Sequence, residues 1–178
     1  VLFACLASLA TLPTPPPPEW EYQSAFALEV GIGSGELDNY QQGDPLPLER
    51  GFQGGQHVNS NLRSSELDDG ASGSFVAWLY DVDQGSVVGE PRSLEVGFFV
   101  EEGKPDDARY AYGSPVLVDD PEAVLGRELE LRVQLTLPDG RVGRAWPRGT
   151  ASWLPDDYYD EVCFDPCAPD DAGAPDDD

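Results

Sequence analysis

The segment ELELRVQLTL, Glu128–Leu137, alternates polar and apolar residues without a break. A period of two places the aliphatic side chains on one face of an extended chain, which is typical of a β-strand with one buried face. The turn sequence PDG, Pro138–Gly140, comes next, and RVGRAW, Arg141–Trp146, can return beside the strand. We therefore predict a β-hairpin in this region.

Similar alternation recurs upstream, at intervals of about 8 to 12 residues that are typical of sandwiches and barrels. The segments are FALEVGI from Phe26, HVNSNLR from His57, SFVAWLYD from Ser74, LEVGFFV from Leu94, and Val116–Val118. Glycine, proline and aspartate separate them, and no segment has sustained helical spacing. We predict an all-β domain, an immunoglobulin-like antiparallel β-sandwich of 7–8 strands, with a jelly roll or a β-barrel as alternatives.

The acidic residues are unevenly distributed along the 178-residue chain, which carries a formal net charge of −24. Residues 155–178 contain ten acidic residues and no basic one, whereas residues 25–154 contain 22 acidic and 10 basic residues, a net charge of −12. We place the β-sandwich domain at 25–154 and an acidic, disordered tail at 155–178. The negative charge disfavours nucleic acid and anionic membrane surfaces as partners.

The N-terminal residues indicate export. VLFACLASLATL, residues 1–12, is uncharged and shorter than the roughly 20 apolar residues that span a bilayer, so we expect the apolar part of a secretory signal. A proline-rich linker follows at 13–24. Simple cleavage before Thr11 is the favoured processing; the alternative is a lipoprotein signal, LFAC, that would make Cys5 a lipid anchor. Either leads to the periplasm, the outer membrane or the extracellular space, with no membrane span.

Two further cysteines lie in the acidic tail. Cys163 and Cys167 are spaced C-x3-C, and in an oxidising compartment we expect them to form a local disulfide. A zinc site is poorly supported by this pair, because structural zinc uses four ligands and the single histidine of the chain is far away in sequence.

That histidine lies in GFQGGQHV, residues 51–58, which follows GDPLPL at 43–48. The pattern Gly-x-Gln-Gly-Gly-x-His resembles one in uncharacterised secreted or lipoprotein β-sandwich proteins of bacteria. The resemblance covers roughly residues 26–146. It implies a fold and an export route, and it brings no activity with it.

Alternation after the glycine pair assigns faces to the next strand. Val58, Ser60 and Leu62 are expected on the core side. The opposite face then carries a stripe of four polar residues: His57, Asn59, Asn61 and Arg63. If solvent reaches this stripe, it can bind a ligand through hydrogen bonds; if a loop covers it, His57 has a structural role.

Evidence for catalysis is weak, and we predict no catalytic residue. The chain has no G-x-S-x-G or phosphate-loop motif, and one histidine without methionine does not support a cupredoxin-like copper site. Glu128 and Glu130 point the same way on one strand, which would suit a pair of glycosidase carboxylates, but a solvated face is the simpler interpretation. Asp81 and Asp83 are candidate Ca²⁺ ligands, although a hairpin turn is the favoured interpretation. We predict no cofactor, with calcium as the alternative.

Aromatic residues are the remaining binding signal, because tryptophan and tyrosine can stack on sugar rings or anchor a protein partner. We expect Trp78 in the core and leave open the role of Trp153. The sequence thus predicts an exported, non-enzymatic binding or structural module that contacts a protein or a glycan. The alternatives are an envelope enzyme that acts on glycans through paired carboxylates and a calcium-dependent adhesion module.

Overall fold

The computed structural model describes residues 20–32, 43–50, 55–100, 102–105, 107–112 and 115–154. These residues form eleven strands and one short helix, so the predicted all-β fold is confirmed. The strands are β1 (Glu29–Ile32), β2 (Leu46–Arg50), β3 (Gln56–Val58), β4 (Ser60–Ser64), β5 (Ser72–Asp81), β6 (Ser86–Gly97), β7 (Arg109–Ala111), β8 (Val116–Val118), β9 (Glu128–Thr136), β10 (Val142–Ala145) and β11 (Arg148–Trp153), and the helix is α1 (Pro121–Val124).

The strands form two sheets. The small sheet has the order β1-β4-β7, and the large sheet has the order β6-β5-β9-β11-β2-β3-β8, with β10 paired to β9. The two ends of the large sheet, β6 and β8, lie against each other, so this sheet is nearly closed into a barrel. Gly89 permits the approach: its φ is +72°, and a Cβ there would lie 2.1 Å from the carbonyl oxygen of Leu117.

Two details differ from the predicted antiparallel sandwich. The described residues contain eleven strands rather than seven or eight, because several of them are only three to five residues long and lack their own alternating pattern. One pair is parallel: β11 lies beside β2, with Ala151 opposite Leu46. Alternation cannot reveal this pairing. The pairing depends on how the chain runs from β10, which pairs with β9, to β11, which lies between β9 and β2.

The apolar faces of the alternating strands form the hydrophobic core. In β9 the aliphatic residues are fully buried, as its sequence predicts, and β10 returns antiparallel beside it. The same core contains Leu46 and Leu48 of β2 and Phe75 of β5. Gly143 of β10 lies where a Cβ would meet the Phe26 ring at 2.4 Å, so this aromatic residue packs directly on the strand backbone.

Residues Trp20–Ser24, here called the N-terminal arm, lie on the outer face of the large sheet. Their side chains contact β5, β9 and the β10 region, and the backbone N–H of Ala25 donates to the carbonyl of Val142 at 2.8 Å. This part of the predicted linker 13–24 is therefore packed against the domain. Residues 1–19, which include Cys5, and residues 155–178, which include Cys163 and Cys167, lie outside the described residues.

Candidate functional site

The four residues of the predicted polar stripe do not share one face. The chain leaves the large sheet at the end of β3 and enters the small sheet at β4, with Asn59 between the two strands. His57 therefore belongs to one sheet, while Asn61 and Arg63 belong to the other. Asn61 is buried, and Arg63 forms an ion pair with Glu29 of β1. The four residues are therefore divided between two sheets, because alternation continues in the sequence where the strand itself breaks, and their role in binding stays a prediction.

Two members of the stripe instead meet a residue that sequence analysis missed. Glu49 of β2 lies directly opposite His57 of β3 in the antiparallel register, so their side chains leave the same face of the sheet. Leu46 and Leu48 point into the core, and alternation turns Glu49 outward. Asn59, just after β3, completes the group. We call Glu49, His57 and Asn59 the Glu49 cluster.

The Glu49 cluster is held away from water. The Glu49 side chain is 7% exposed and that of His57 is 16% exposed. Asn59 Nδ2 donates to Glu49 Oε2 at 2.8 Å, and His57 Nε2 lies 3.8 Å from the same oxygen, beyond hydrogen-bond distance. Glu49 Oε1 is buried and has no hydrogen-bond partner. One carboxylate oxygen is thus satisfied and the other is not.

Burial also changes the titration of both ionisable groups. It raises the pKa of the Glu49 carboxyl above its ordinary value, an effect that the Asn59 hydrogen bond partly opposes. It lowers the pKa of the His57 imidazole, which favours the neutral form of the ring. A neutral imidazole can accept a proton or bind a cation through its free nitrogen.

A second buried carboxylate lies under the N-terminal arm. Glu130 of β9 is fully buried, although its neighbour on the same face, Glu128, is exposed. Its Oε1 accepts from Arg132 Nε at 2.5 Å and from the Tyr22 hydroxyl at 3.3 Å, and its Oε2 accepts from Arg148 Nε at 2.5 Å. The expectation of a solvated face is therefore wrong for Glu130, because the arm covers it. The two glutamates occupy different environments.

Aromatic rings surround this ionic network. The Trp20 ring makes edge contacts with Trp78, Trp146 and Tyr22 at centroid distances of 5.3–6.0 Å. The Arg132 guanidinium lies 3.6 Å from the centroid of the Tyr80 ring, a cation–π contact. Trp78 is 1% exposed, as expected for a structural residue, but it lies on the outer face beneath the arm. These contacts fix the arm and exclude water from Glu130.

The candidate calcium ligands belong to the β5–β6 turn. Asp81 is 1% exposed, and its Oδ2 lies 2.8 Å from Arg127 Nη2. Its Oδ1 accepts from the backbone N–H of Gln84, whereas Asp83 is exposed. The two aspartates therefore occupy different environments, and Asp81 is already paired with a cation. Within the part of the chain that the structure describes, no three metal-ligating side chains are grouped together.

Exposed apolar residues cluster at one place beside the small sheet. Phe99 is 37% exposed, Val100 44% and Tyr112 55%, and the Phe99 and Tyr112 rings are in contact at 5.6 Å between centroids. Phe99 exchanges backbone hydrogen bonds with Tyr110 of β7, so this patch extends the sheet beyond β7. We call Phe99, Val100 and Tyr112 the aromatic patch. The sequence does not reveal this patch, because exposed apolar residues in a strand pattern cannot be distinguished from core residues.

Comparison with known proteins adds no assignment: the sequence matches no protein-family model and no curated protein. Across the described ranges, the structure contains no helix with the length and apolar character needed to cross a membrane.

Proposed function

We propose that the protein is an exported, non-enzymatic binding module that contacts a partner protein through the aromatic patch. The observation that carries this proposal is the contact of two exposed aromatic rings, Phe99 and Tyr112, at the edge of the small sheet, with exposed Val100 next to Phe99 in the chain. Exposed apolar groups are common singly, but a cluster that includes two aromatic rings is typical of interaction sites.

The environments of the acidic residues support a role without catalysis. A glycosidase needs one carboxyl group that can be protonated and a second one across the scissile bond. Glu130 is held by two arginines and a tyrosine hydroxyl beneath the arm, where a sugar cannot reach it. Glu128 and Glu130 therefore do not provide the pair that the enzyme alternative requires.

Charge and geometry narrow the class of partner. Residues 25–154 carry a net charge of −12, so a partner with a neutral or basic surface is favoured over an acidic one. The rings of Phe99 and Tyr112 are inclined at 42° to each other and do not form one flat platform. This shape suits side chains inserted by a protein better than a sugar ring stacked across both aromatics. Export itself rests on the uncharged residues 1–12 and the proline-rich segment that follows.

A capture experiment tests the proposal. The full chain, immobilised, is exposed to the envelope and secreted fractions of its source cells and, separately, to a glycan array. We expect a protein partner whose affinity falls at least about tenfold when Phe99 and Tyr112 are both replaced by serine, since central aromatic anchors carry much of the binding energy.

The matched control is Val87→Ala, which alters an exposed apolar residue of β6 outside the patch and should leave the affinity unchanged. Equal binding by the double serine variant would show that the patch is not the contact surface. Binding to glycans alone would replace the protein partner with a carbohydrate ligand.

A further inference from the structure

Three acidic side chains are buried among the described residues: Glu49, Asp81 and Glu130. Burial of an ionised carboxylate is costly unless a cation or several hydrogen bonds compensate for it. Asp81 lies 2.8 Å from Arg127, and Glu130 is bound by Arg132 and Arg148. Glu49 differs from both.

The polar neighbours of Glu49 in the described part of the chain are the neutral amide of Asn59 and the imidazole of His57. Neither is the guanidinium or ammonium group of an arginine or lysine, and Oε1 has no hydrogen-bond partner. The group therefore lacks the cation that accompanies both other buried carboxylates. It offers instead a carboxylate oxygen and an imidazole nitrogen that face each other without a hydrogen bond.

The donor set indicates which cation would fit. Ca²⁺ and Mg²⁺ prefer oxygen ligands alone, whereas Zn²⁺ and similar ions bind imidazole nitrogen together with carboxylate oxygen. The distance between Glu49 Oε2 and His57 Nε2 is 3.8 Å. Two ligands of a tetrahedral zinc ion lie about 3.4 Å apart, so a closure of about 0.4 Å by side-chain rotation is sufficient.

We propose that Glu49 and His57 form a binding site for a divalent transition-metal ion such as Zn²⁺, with Asn59 as a positioning residue. The cross-strand register places both ligands on one face, and the Asn59 amide fixes the carboxylate by donating to Oε2. Hydrogen bonds of this kind commonly orient metal-binding carboxylates. With only two protein ligands, binding is weaker than at a four-ligand structural site. The inference is independent of the aromatic patch.

The single histidine makes a specific test possible, because its imidazole gives one set of nitrogen resonances. The full chain is labelled with ¹⁵N-histidine, freed of metal with EDTA and titrated with ZnCl₂ near neutral pH. We expect the Nε2 resonance to move in a saturable way with one ion per chain. Zinc bound by the cysteines or aspartates of residues 155–178 does not produce this signal unless it reaches His57.

Variants of Glu49 and Asn59 test whether Glu49 binds the metal ion together with His57. Glu49→Gln should weaken the apparent affinity at least about tenfold, and Asn59→Ala should weaken it by about tenfold, the usual effect of losing an outer hydrogen bond. Glu128→Gln removes one exposed charge from the same sheet and should change the affinity less than about twofold. An unchanged amide spectrum of the metal-free Glu49→Gln protein shows that the variant is folded.

Two results would overturn the inference. One is a His57 resonance that does not move up to about 1 mM ZnCl₂, the weak limit of specific binding. The other is the same affinity in wild type and Glu49→Gln, which would mean that His57 binds zinc alone. CaCl₂ should leave the resonance in place, and an equal shift with calcium would show a general effect of charge instead of coordination.

Discussion

Glu49 and Glu130 are both glutamates on the outer side of the large sheet, and both are almost completely buried. Their surroundings are opposite. Two arginines and a tyrosine hydroxyl bind Glu130, and the N-terminal arm covers it with aromatic rings. Glu49 has one amide donor, a histidine beyond hydrogen-bond distance and an oxygen without a partner. Burial alone therefore does not reveal what a carboxylate does in this fold, whereas its partners do.

The difference separates a structural group from a candidate binding group. A buried carboxylate with matched cations holds two segments together, and here Glu130 joins the arm, β9 and β11. A buried carboxylate without a cation costs stability, and such uncompensated groups are enriched at functional sites. Substitutions at the two glutamates should consequently have effects of opposite sign on folding.

The largest effect is expected for Glu130→Gln. The change keeps the volume of the side chain but leaves Arg132 and Arg148 without their counter-ion, so the free energy of unfolding should fall by about 2 kcal/mol. This figure is below the usual range for a broken buried pair, because Arg148 is one-third exposed. Urea denaturation at pH 7 measures it.

The matched control is Glu128→Gln, two residues away on the same strand and exposed, which should change the free energy of unfolding by less than about 0.5 kcal/mol. Similar losses in the two variants would mean that the network under the arm contributes no more than a solvated charge.

A smaller effect with the opposite sign is expected for Glu49→Gln in metal-free buffer. The neutral amide avoids the cost of burying a charge and can donate to the neighbouring polar atoms, so the free energy of unfolding should stay the same or rise by about 1 kcal/mol. Urea denaturation at pH 7 measures the free energy of unfolding of this variant, for comparison with that of Glu130→Gln. A loss as large as that of Glu130→Gln would show that the Glu49 charge is compensated and would remove the contrast between the two sites.

The sequence predicts part of this picture. Alternation in Glu128–Leu137 identifies the strand, its buried aliphatic face and the following hairpin, because these depend only on neighbours along the chain. It also assigns Glu130 to the outer face. It does not predict that Glu130 is buried, because the covering residue Tyr22 lies 108 positions earlier in the chain.

Alternation fails differently at the Glu49 cluster. The pattern from His57 to Arg63 continues unbroken through Asn59, but the chain changes sheets there, so one apparent face is divided between two sheets. Glu49 gives no signal of its own, since LPLER contains a proline and does not alternate for long. Glu49 lies beside His57 because β2 pairs with β3, and this pairing cannot be read from the sequence.

The smallest effect is expected at an ion pair that is open to solvent, Asp139 and Arg141 in the β9–β10 turn. The backbone N–H of Arg141, followed by its side chain, donates to Asp139 and lowers the pKa of that carboxyl below its ordinary value of 3.8. A carboxyl with a lower pKa in the folded state stabilises the fold above its unfolded pKa, and this contribution is lost as the pH falls through the folded pKa.

Asp139→Asn should therefore lower the Tm at pH 7 by no more than about 2 °C, because solvent screens the pair. The difference from wild type should decrease as the pH falls through the folded-state pKa of Asp139, below which the carboxyl is protonated in both states. Thermal melts over a series of acidic pH values measure this, and a difference that does not decrease would mean that the side chain stabilises the turn by its shape and not by its charge. A difference that disappears on protonation would instead measure the contribution of a solvent-exposed carboxylate–arginine pair, with which the buried pairs of Glu130 can be compared.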